Sequence, residues 1–322
     1  MGYGNITDVP GIKVGNCENR KALTGCTVIL TEEGATAGVD VRGSAPGTKE
    51  TDLLDPLNTV SVVHGICLSG GSAFGLDAAS GVMQYLEEKG FGLPVGAARV
   101  PIVPAATLFV LPVGNGAVRP DKTMGYTAAK SAITGSFLEG NFGAGCGATV
   151  GKFLGLEACM KGGLGTASMV LEDGLTVGAV VAVNAVGEVR DFSTGDWLAG
   201  AYNRQTGSKV RSLDFLKNQS SQNIVPGANT TIGVVAVNAD FTKSEMSKIA
   251  QMAHNGLART IFPVHTTQDG DTLFALATGG VQASVDRIGS LCAEVMAMAV
   301  VRAVKAAEGV LDIPAYKDIQ DS

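Results

Sequence analysis

Two stretches of this chain carry almost no polar residue between their ends: Thr176-Val-Gly-Ala-Val-Val-Ala-Val-Asn184 and Thr231-Ile-Gly-Val-Val-Ala-Val237. Neither alternates apolar with polar, so neither suits a strand with one wet face. Such short, Val-rich runs suit strands covered on both sides. A third run, Ser61 to Leu68, is broken only by His64. Strands of this kind need layers above and below them, and the chain has helices to supply those layers. Ala73 to about Lys89 gathers Leu76, Ala79, Val82, Met83 and Leu86 on one face. Thr242-Lys-Ser-Glu245 is a capping box that opens a helix to about Thr260. Ser284 to Glu308 carries the apolar stripe Ile288, Leu291, Val295, Met298, Val301 and Val304. Strand pairs and helices are mixed rather than strictly alternating. That favours a layered α/β protein with buried sheets over a doubly wound nucleotide fold.

The remaining elements are shorter. Residues 26–42 read as two strands around the turn Glu32-Glu33-Gly34, and Asp173-Gly174 marks a hairpin between Thr166–Leu171 and Thr176–Asn184. Gly187-Glu188 reads as a turn, Asp121 to Ala132 as a short helix, and 91–113 as strand and loop. Asp271 to Leu276 is a further strand. Residues 203–228, with Lys217-Asn-Gln-Ser-Ser-Gln-Asn223, are the best candidate for an exposed, poorly ordered connector. There is no internal repeat.

The 322 residues suffice for one large domain or two small ones, and with 45% hydrophobic and only 17% charged there is ample apolar mass for a core; 1–322 is expected to be a single domain. The formal charge of −6 and the lack of a basic run argue against a nucleic-acid partner. Cys17, Cys26, Cys67, Cys146, Cys159 and Cys292 are scattered, with no CxxC pair and no His at zinc spacing, so no metal or cofactor is expected. Buried thiols in a reducing compartment are the simplest reading. The start MGYGNITDVPG lacks a basic stretch and an apolar core, and no apolar run reaches membrane-spanning length. A cytoplasmic protein is the expectation.

Several motifs fail on inspection. In Gly70-Gly71-Ser72-Ala73-Phe74, a nucleophile elbow needs Gly where Phe74 stands. The turn needs small residues for steric reasons alone, although amides at that helix start could face a substrate carbonyl or carboxylate. Gly143 to Lys152 mimics a phosphate loop, but Cys146 and Phe153 break it. Lys152 then fits either a solvated position or one beside a site. His64, His254 and His265 are too far apart to suggest a metal cluster, and His64 reads as a satisfied core residue.

Two features carry chemistry. Asn229-Thr230-Thr231 places a hydroxyl at the mouth of a core strand, behind the small residues Gly227-Ala228. A backbone break before Thr230 would give one residue both an amine base and a nucleophile. Asp269-Gly270-Asp271 sets two carboxylates at the entrance of another strand. Taken alone it is a common turn; facing a nucleophile, the paired carboxylates would push their pKa values apart and suit proton handling.

The chain as a whole resembles the L-aminopeptidase/D-esterase family of self-cleaving hydrolases, which includes β-aminopeptidases and the nylon-oligomer hydrolase. The residues that carry the resemblance are Ile6-Thr-Asp-Val-Pro-Gly11, Thr24-Gly-Cys-Thr-Val28, Leu68-Ser-Gly-Gly-Ser-Ala-Phe-Gly-Leu-Asp77, Val183-Asn184, Asn229-Thr230-Thr231 and His265-Thr-Thr-Gln-Asp-Gly-Asp-Thr-Leu-Phe274. It implies a four-layer αββα sandwich, similar to N-terminal-nucleophile hydrolases but differently connected. It implies self-cleavage between Asn229 and Thr230, giving chains 1–229 and 230–322 with Thr230 as nucleophile. Asp269 and Asp271 match the two catalytic carboxylates, and Lys152 and Asn184 match a Lys and an Asn near the site. The match is closer to the Thr/Asp/Asp branch than to the Ser/Ser/Glu aminopeptidases.

On that pattern Asp269 serves the Thr230 hydroxyl or amine, Asp271 holds Asp269, Asn184 is an oxyanion donor, and Lys152 brings positive charge. Phe109 stands where relatives carry a Tyr, so a phenolic hydroxyl is missing from the substrate side, where Gly70, Gly71 and Ser72 are also placed. The function implied is hydrolysis of a small peptide or amide substrate by a homo-oligomer, a tetramer among the candidates. The alternatives are an acyl transferase of the ornithine acetyltransferase type and a non-catalytic binding protein on the same fold.

Overall fold

The structure, a computed structural model, describes residues 4–218 and 229–320. Its frame is a nine-stranded sheet: β1 (Lys13–Asn19), β2 (Thr24–Val41), β3 (Thr48–Lys49), β4 (Val62–Ser69), β5 (Ala105–Thr107), β6 (Gly163–Val170), β7 (Thr176–Asn184), β8 (Thr230–Ala239) and β9 (Thr272–Val281). The order is β6-β7-β8-β9-β2-β4-β5-β3, with β1 also on β2. Neighbours run antiparallel except β8/β9 and β4/β5. The helices are α1 (Ala78–Glu88), α2 (Lys122–Lys130), α3 (Ser212–Asn218), α4 (Lys243–Thr260) and α5 (Val285–Ala306).

The period of two along each strand sorts the side chains into three separate cores. On β8, Val235 and Val237 join Ile249, Ala253, Val295 and Ala299 of α4 and α5. Ile232, Val234 and Ala236 point the other way, against Ile29 of β2 and Ile66 and Leu68 of β4. On those strands the alternate residues, Cys26, Val28, Leu30 and Cys67, meet Ala79, Val82 and Leu86 of α1 and Ala128 and Ala129 of α2. Three cores divided by two sheet layers make an αββα sandwich. Each fully buried Val or Leu contributes about 1.5–3 kcal/mol, so the unbroken apolar runs are what a doubly covered sheet requires.

Glycine lets the layers close up. A Cβ on Gly165 of β6 would meet the Ala299 carbonyl oxygen of α5 at 2.1 Å, and one on Gly38 of β2 would meet the Ser247 amide of α4 at 2.2 Å. Helix starts follow the sequence signals. Thr242 accepts from the Glu245 amide in a full capping box, and Ser284 caps α5. The first helix differs, because Ser72–Asp77 form a 3-10 turn before α1 begins. His64 is buried and its Nδ1 accepts from the Ile102 amide at 3.2 Å. The six cysteines are free thiols, all buried but Cys17.

Two expectations need correction. Residues 26–42 are not two strands around a turn. Residues 26–41 lie in one strand, β2, with a register shift between Leu30 and Ala35. Glu32-Glu33-Gly34 sits in that irregularity, with Gly34 at φ 92°, and the ladder resumes beyond it. The described part of the connector, 203–218, is also more regular than its composition suggests. Ser208–Val210 pairs with Ala201–Asn203, and Ser212–Asn218 forms α3. Polar composition followed exposure there, not lack of structure. Residues 219–228 lie outside the described residues. Among the described residues no helix is long and apolar enough to cross a membrane.

Candidate active site

One end of the inner sheet layer brings three strand termini together. Asn184, the last residue of β7, stands opposite Thr230, the first of β8, in antiparallel register. The parallel β8/β9 pairing aligns Ile232 with Thr272, and the same offset continues to a bridge between Asn229 and Asp269. Strand register alone therefore sets Asn229–Thr231 beside Asp269–Asp271. The loop after β2 grips the carboxylate segment from behind. The Arg42 amide donates to the Asp271 carbonyl (2.9 Å), and the Ala45 amide to the Asp269 carbonyl (3.0 Å). Gly43 has to be small, since a Cβ there would lie 2.3 Å from both Asp269 O and Asp271 N.

Thr230 is 2% exposed and Asn229 1%. The Thr230 hydroxyl donates to the carbonyl of Asn229, the residue before it. The Gly270 amide points at the same place, 3.1 Å from Asn229 O and 3.2 Å from Thr230 Oγ1.

The two carboxylates are held differently. Asp269 Oδ2 accepts from the amide (2.9 Å) and hydroxyl (2.5 Å) of Thr266. Burial, reinforced by the neighbouring Asp271, pushes its carboxyl up to about 6, against the pull of the Thr266 bonds and Lys152. Asp271 Oδ1 accepts from the Thr231 amide at 2.6 Å. Its Oδ2 accepts from the His265 amide at 3.1 Å and lies 2.8 Å from His265 Nδ1. Asp271 is thus clamped at both oxygens. Among the described residues no hydrogen bond joins it to Asp269, so the direct prop expected between the two acids is replaced by Thr266 on one and His265 on the other.

Asn184 is fully buried, and its network fixes which way its amide faces. Lys152 Nζ donates to Asn184 Oδ1 and to its backbone carbonyl, both at 2.9 Å, and the Thr149 amide adds a second bond to Oδ1 at 3.0 Å. With Oδ1 so occupied, Nδ2 donates to the Phe109 carbonyl at 3.2 Å and keeps its second proton free for a ligand. Burial pulls the Lys152 ammonium down to about 7, while Cys159 and Asp269 oppose the fall. Lys152, which the sequence left open between surface and site, is therefore tied to Asn184.

Phe109 contributes its backbone carbonyl rather than a phenol. The Gly70-Gly71-Ser72 turn abuts this region through Leu108, whose carbonyl accepts from the Ser72 amide at 2.8 Å. The Gly70 amide is likewise taken, by Gly25 O at 2.9 Å. Two of the three amides suggested for a substrate carbonyl are thus already bonded within the fold.

His265 was missed as a site residue because the imidazole beside it, His254, comes from α4. It adopts φ 55° and meets the His254 ring edge-on at 4.8 Å. His254 Nε2 lies 3.0 Å from Asp40 O, and burial drives that imidazole down to about 4, so it stays neutral. The only sequence hint was the placement of His265 four residues before Asp269. Most buried side-chain polar atoms without a partner among the described residues also gather here: both amide atoms of Asn229, Thr231 Oγ1, His265 Nε2 and Gln268 Oε1. Each such group costs about 1–3 kcal/mol, a burden that concentrates where a ligand or water is received. Among the described residues no group of three or more His, Cys, Asp or Glu is placed to hold a metal ion.

Comparison with known proteins identifies the family and the fold. The model of peptidase family S58 matches residues 4–314. An uncharacterized aminopeptidase of Mycobacterium leprae (strain TN) is 41% identical, over 97% of this chain and 93% of its own length. The 6-aminohexanoate-oligomer endohydrolase of Kocuria sp. (strain KY2) is 32% identical, over 92% of this chain and 85% of its own. Among solved structures, a Burkholderia sp. β-aminopeptidase superposes with a TM-score of 0.73 at 22% identity, covering 99% of this chain and 93% of that one. The L-aminopeptidase D-Ala-esterase/amidase of Ochrobactrum anthropi, a variant of the Ntn hydrolase fold, gives 0.74 at 18% identity with the same coverage. The chain belongs to peptidase family S58 and is a hydrolase of peptide or amide bonds.

Proposed function

We propose that this hydrolase cuts its own backbone between Asn229 and Thr230, and that the freed Thr230 is the nucleophile for small peptide or amide substrates. The observation that carries the reading is the Thr230 hydroxyl hydrogen-bonded to the carbonyl it would attack, inside a buried site. The relative named 6-aminohexanoate-oligomer endohydrolase supports the substrate class of this reading.

In the first reaction Thr230 Oγ adds to the Asn229 carbonyl carbon. The C–N bond breaks, the nitrogen takes a proton, and an ester remains. Water cleaves the ester, leaving a carboxylate on Asn229 and a free amine on Thr230. That amine has an ordinary pKa of about 7.7–8.0, so a neutral fraction exists near pH 7. In turnover, Thr230 Oγ attacks the substrate amide, the amine product leaves, and water releases the acyl group. Asp269, with its raised pKa, exchanges the proton with Thr230. Asp271 keeps the Thr231 backbone in place. Asn184 Nδ2 donates to the developing oxyanion, a role that contributes about 2.7–4 kcal/mol, and Lys152 orients Asn184 and adds positive charge.

The two chains would stay together after the cut. In the second, β8 pairs with β7 and β9 with β2, both from the first. Chains 1–229 and 230–322 therefore form one domain. We place the enzyme in the cytoplasm, on its buried free thiols, and read it as a homo-oligomer, which sedimentation would test.

N-terminal sequencing of the purified protein tests the central claim. A second N-terminus reading Thr-Thr-Ile-Gly-Val-Val supports it. A chain that stays intact through prolonged incubation yet hydrolyses amides refutes it. Product analysis with an added amine acceptor separates hydrolysis from acyl transfer.

A further inference from the structure

We infer that the backbone amide of Gly270 is the oxyanion donor of the self-cleavage step, a different donor from the Asn184 carboxamide that serves substrate. The inference rests on self-cleavage before Thr230. Its basis is the bifurcated contact of one N–H with the carbonyl oxygen of Asn229 (3.1 Å) and the hydroxyl oxygen of Thr230 (3.2 Å). These two oxygens carry the developing charge when Thr230 Oγ adds to the Asn229 carbon. The electron pair of the C=O bond moves onto Asn229 O, and the N–H already lies at the distance an oxyanion donor needs.

Three further features support the assignment. The donor is set by strand pairing: the contact extends the β8/β9 ladder at the same offset as Ile232 and Thr272, so it needs no rearrangement when the charge forms. The site is nearly dry, which strengthens the bond to a charged oxygen. Position 270 also accepts only a glycine without displacement. A Cβ would stand 2.6 Å from Ala45 O and 3.0 Å from both Pro46 Cα and Thr230 Oγ1. Among the described residues Asn184 Nδ2 bonds Phe109 O, whereas the Gly270 amide already reaches the Asn229 carbonyl. Once Asn229 departs, the Gly270 amide loses its carbonyl partner, and the assignment concerns the first acyl transfer.

The test removes one hydrogen and adds no bulk. Cell-free translation with glycolic acid at position 270 replaces the amide N–H by an ester oxygen in the full chain. The same exchange at Gly174, in the exposed hairpin turn, serves as control. Self-cleavage is followed on a denaturing gel across pH. The expected result is a rate about 10²–10³-fold lower for the 270 ester, with the acid limb of the pH profile unmoved and the 174 ester near the wild-type rate. A 270 ester that cuts within about threefold of wild type overturns the inference. So does a slow chain whose acid limb has moved, because the amide would then act by placing the carboxylates.

A second measurement stands apart from whether the ester chain folds. In uncut Thr230→Ala protein, a through-hydrogen-bond coupling should join the Gly270 nitrogen to the Asn229 carbonyl carbon. Its absence overturns the inference. A wild-type chain that never cuts would instead refute the proposed function.

Discussion

Asp269 is a carboxylate the fold would rather not ionise, and Asp269→Asn should therefore stabilise the protein while disabling it. The comparison is made in a Thr230→Ala background, so that both chains are uncut. Burial and Asp271 raise the carboxyl from 3.8 to about 6. At ~1.4 kcal/mol per tenfold change, keeping it ionised costs the folded state about 3 kcal/mol. Asn keeps an oxygen for the Thr266 amide and hydroxyl and carries no charge. The sign follows from linkage. Below about pH 4 the carboxyl is protonated both folded and unfolded, and Asn has no advantage. Between about 4 and 6 the folded chain holds a proton the unfolded chain has lost, so stability of the Asp protein falls as pH rises. Above about 6 the cost is present in full. Unfolding entropy of ~2.1 cal/mol/K per residue converts about 3 kcal/mol into roughly 4 °C for a chain of 322 residues. Thermal unfolding at pH 4 and pH 8 is the assay. A difference between the two proteins that is the same at both pH values, or that favours Asp at pH 8, would show that the carboxylate is not held against its preference.

Other outcomes follow from the same contacts. Thr230→Ala should run as a single full-length band, whereas wild type should yield 1–229 and 230–322. Asp271→Asn removes the charge that helps raise Asp269, so the acid limb of self-cleavage should move down from about pH 6. His265→Ala leaves Asp271 Oδ2 with neither the imidazole nor a fixed loop, and a roughly tenfold slower self-cleavage is expected; a Gln at 265 should recover part of the rate in the same gel assay. Lys152→Met frees the Asn184 amide to rotate and should lower kcat by ~10² with KM little changed. Lys152→Arg keeps the charge and should extend activity above the pH of about 7 at which the Lys152 ammonium loses its proton.

The layers of this protein were readable because they are written locally. A doubly covered strand has no polar alternate face, and β7 and β8 show none. Capping residues announce α4 and α5 within four positions. The β2 irregularity was not readable, since Glu32-Glu33-Gly34 has the composition of a turn whether the chain reverses or runs on. What decided it was β4, which pairs on both sides of the break and lies some thirty residues away. The site divides in the same manner. Thr230, Asp269 and Asp271 sit at strand starts and could be picked out, but their register could not, and register is what sets each bond. An offset of forty residues between β8 and β9 delivers Gly270 to the Asn229 carbonyl and Asp271 to the Thr231 amide at once. A slip of one residue would turn both carboxylates to the opposite face. The His265 clamp shows the limit most plainly. It needs a left-handed residue, a carboxylate six positions on and a second imidazole from α4 stacked behind it, and only the middle item is visible in the chain. The acid pair is therefore not a self-sufficient motif. Its chemistry is set by a helix and a loop that sequence spacing does not connect to it, and substitutions at His254 should alter the pH profile of self-cleavage without touching a reacting atom.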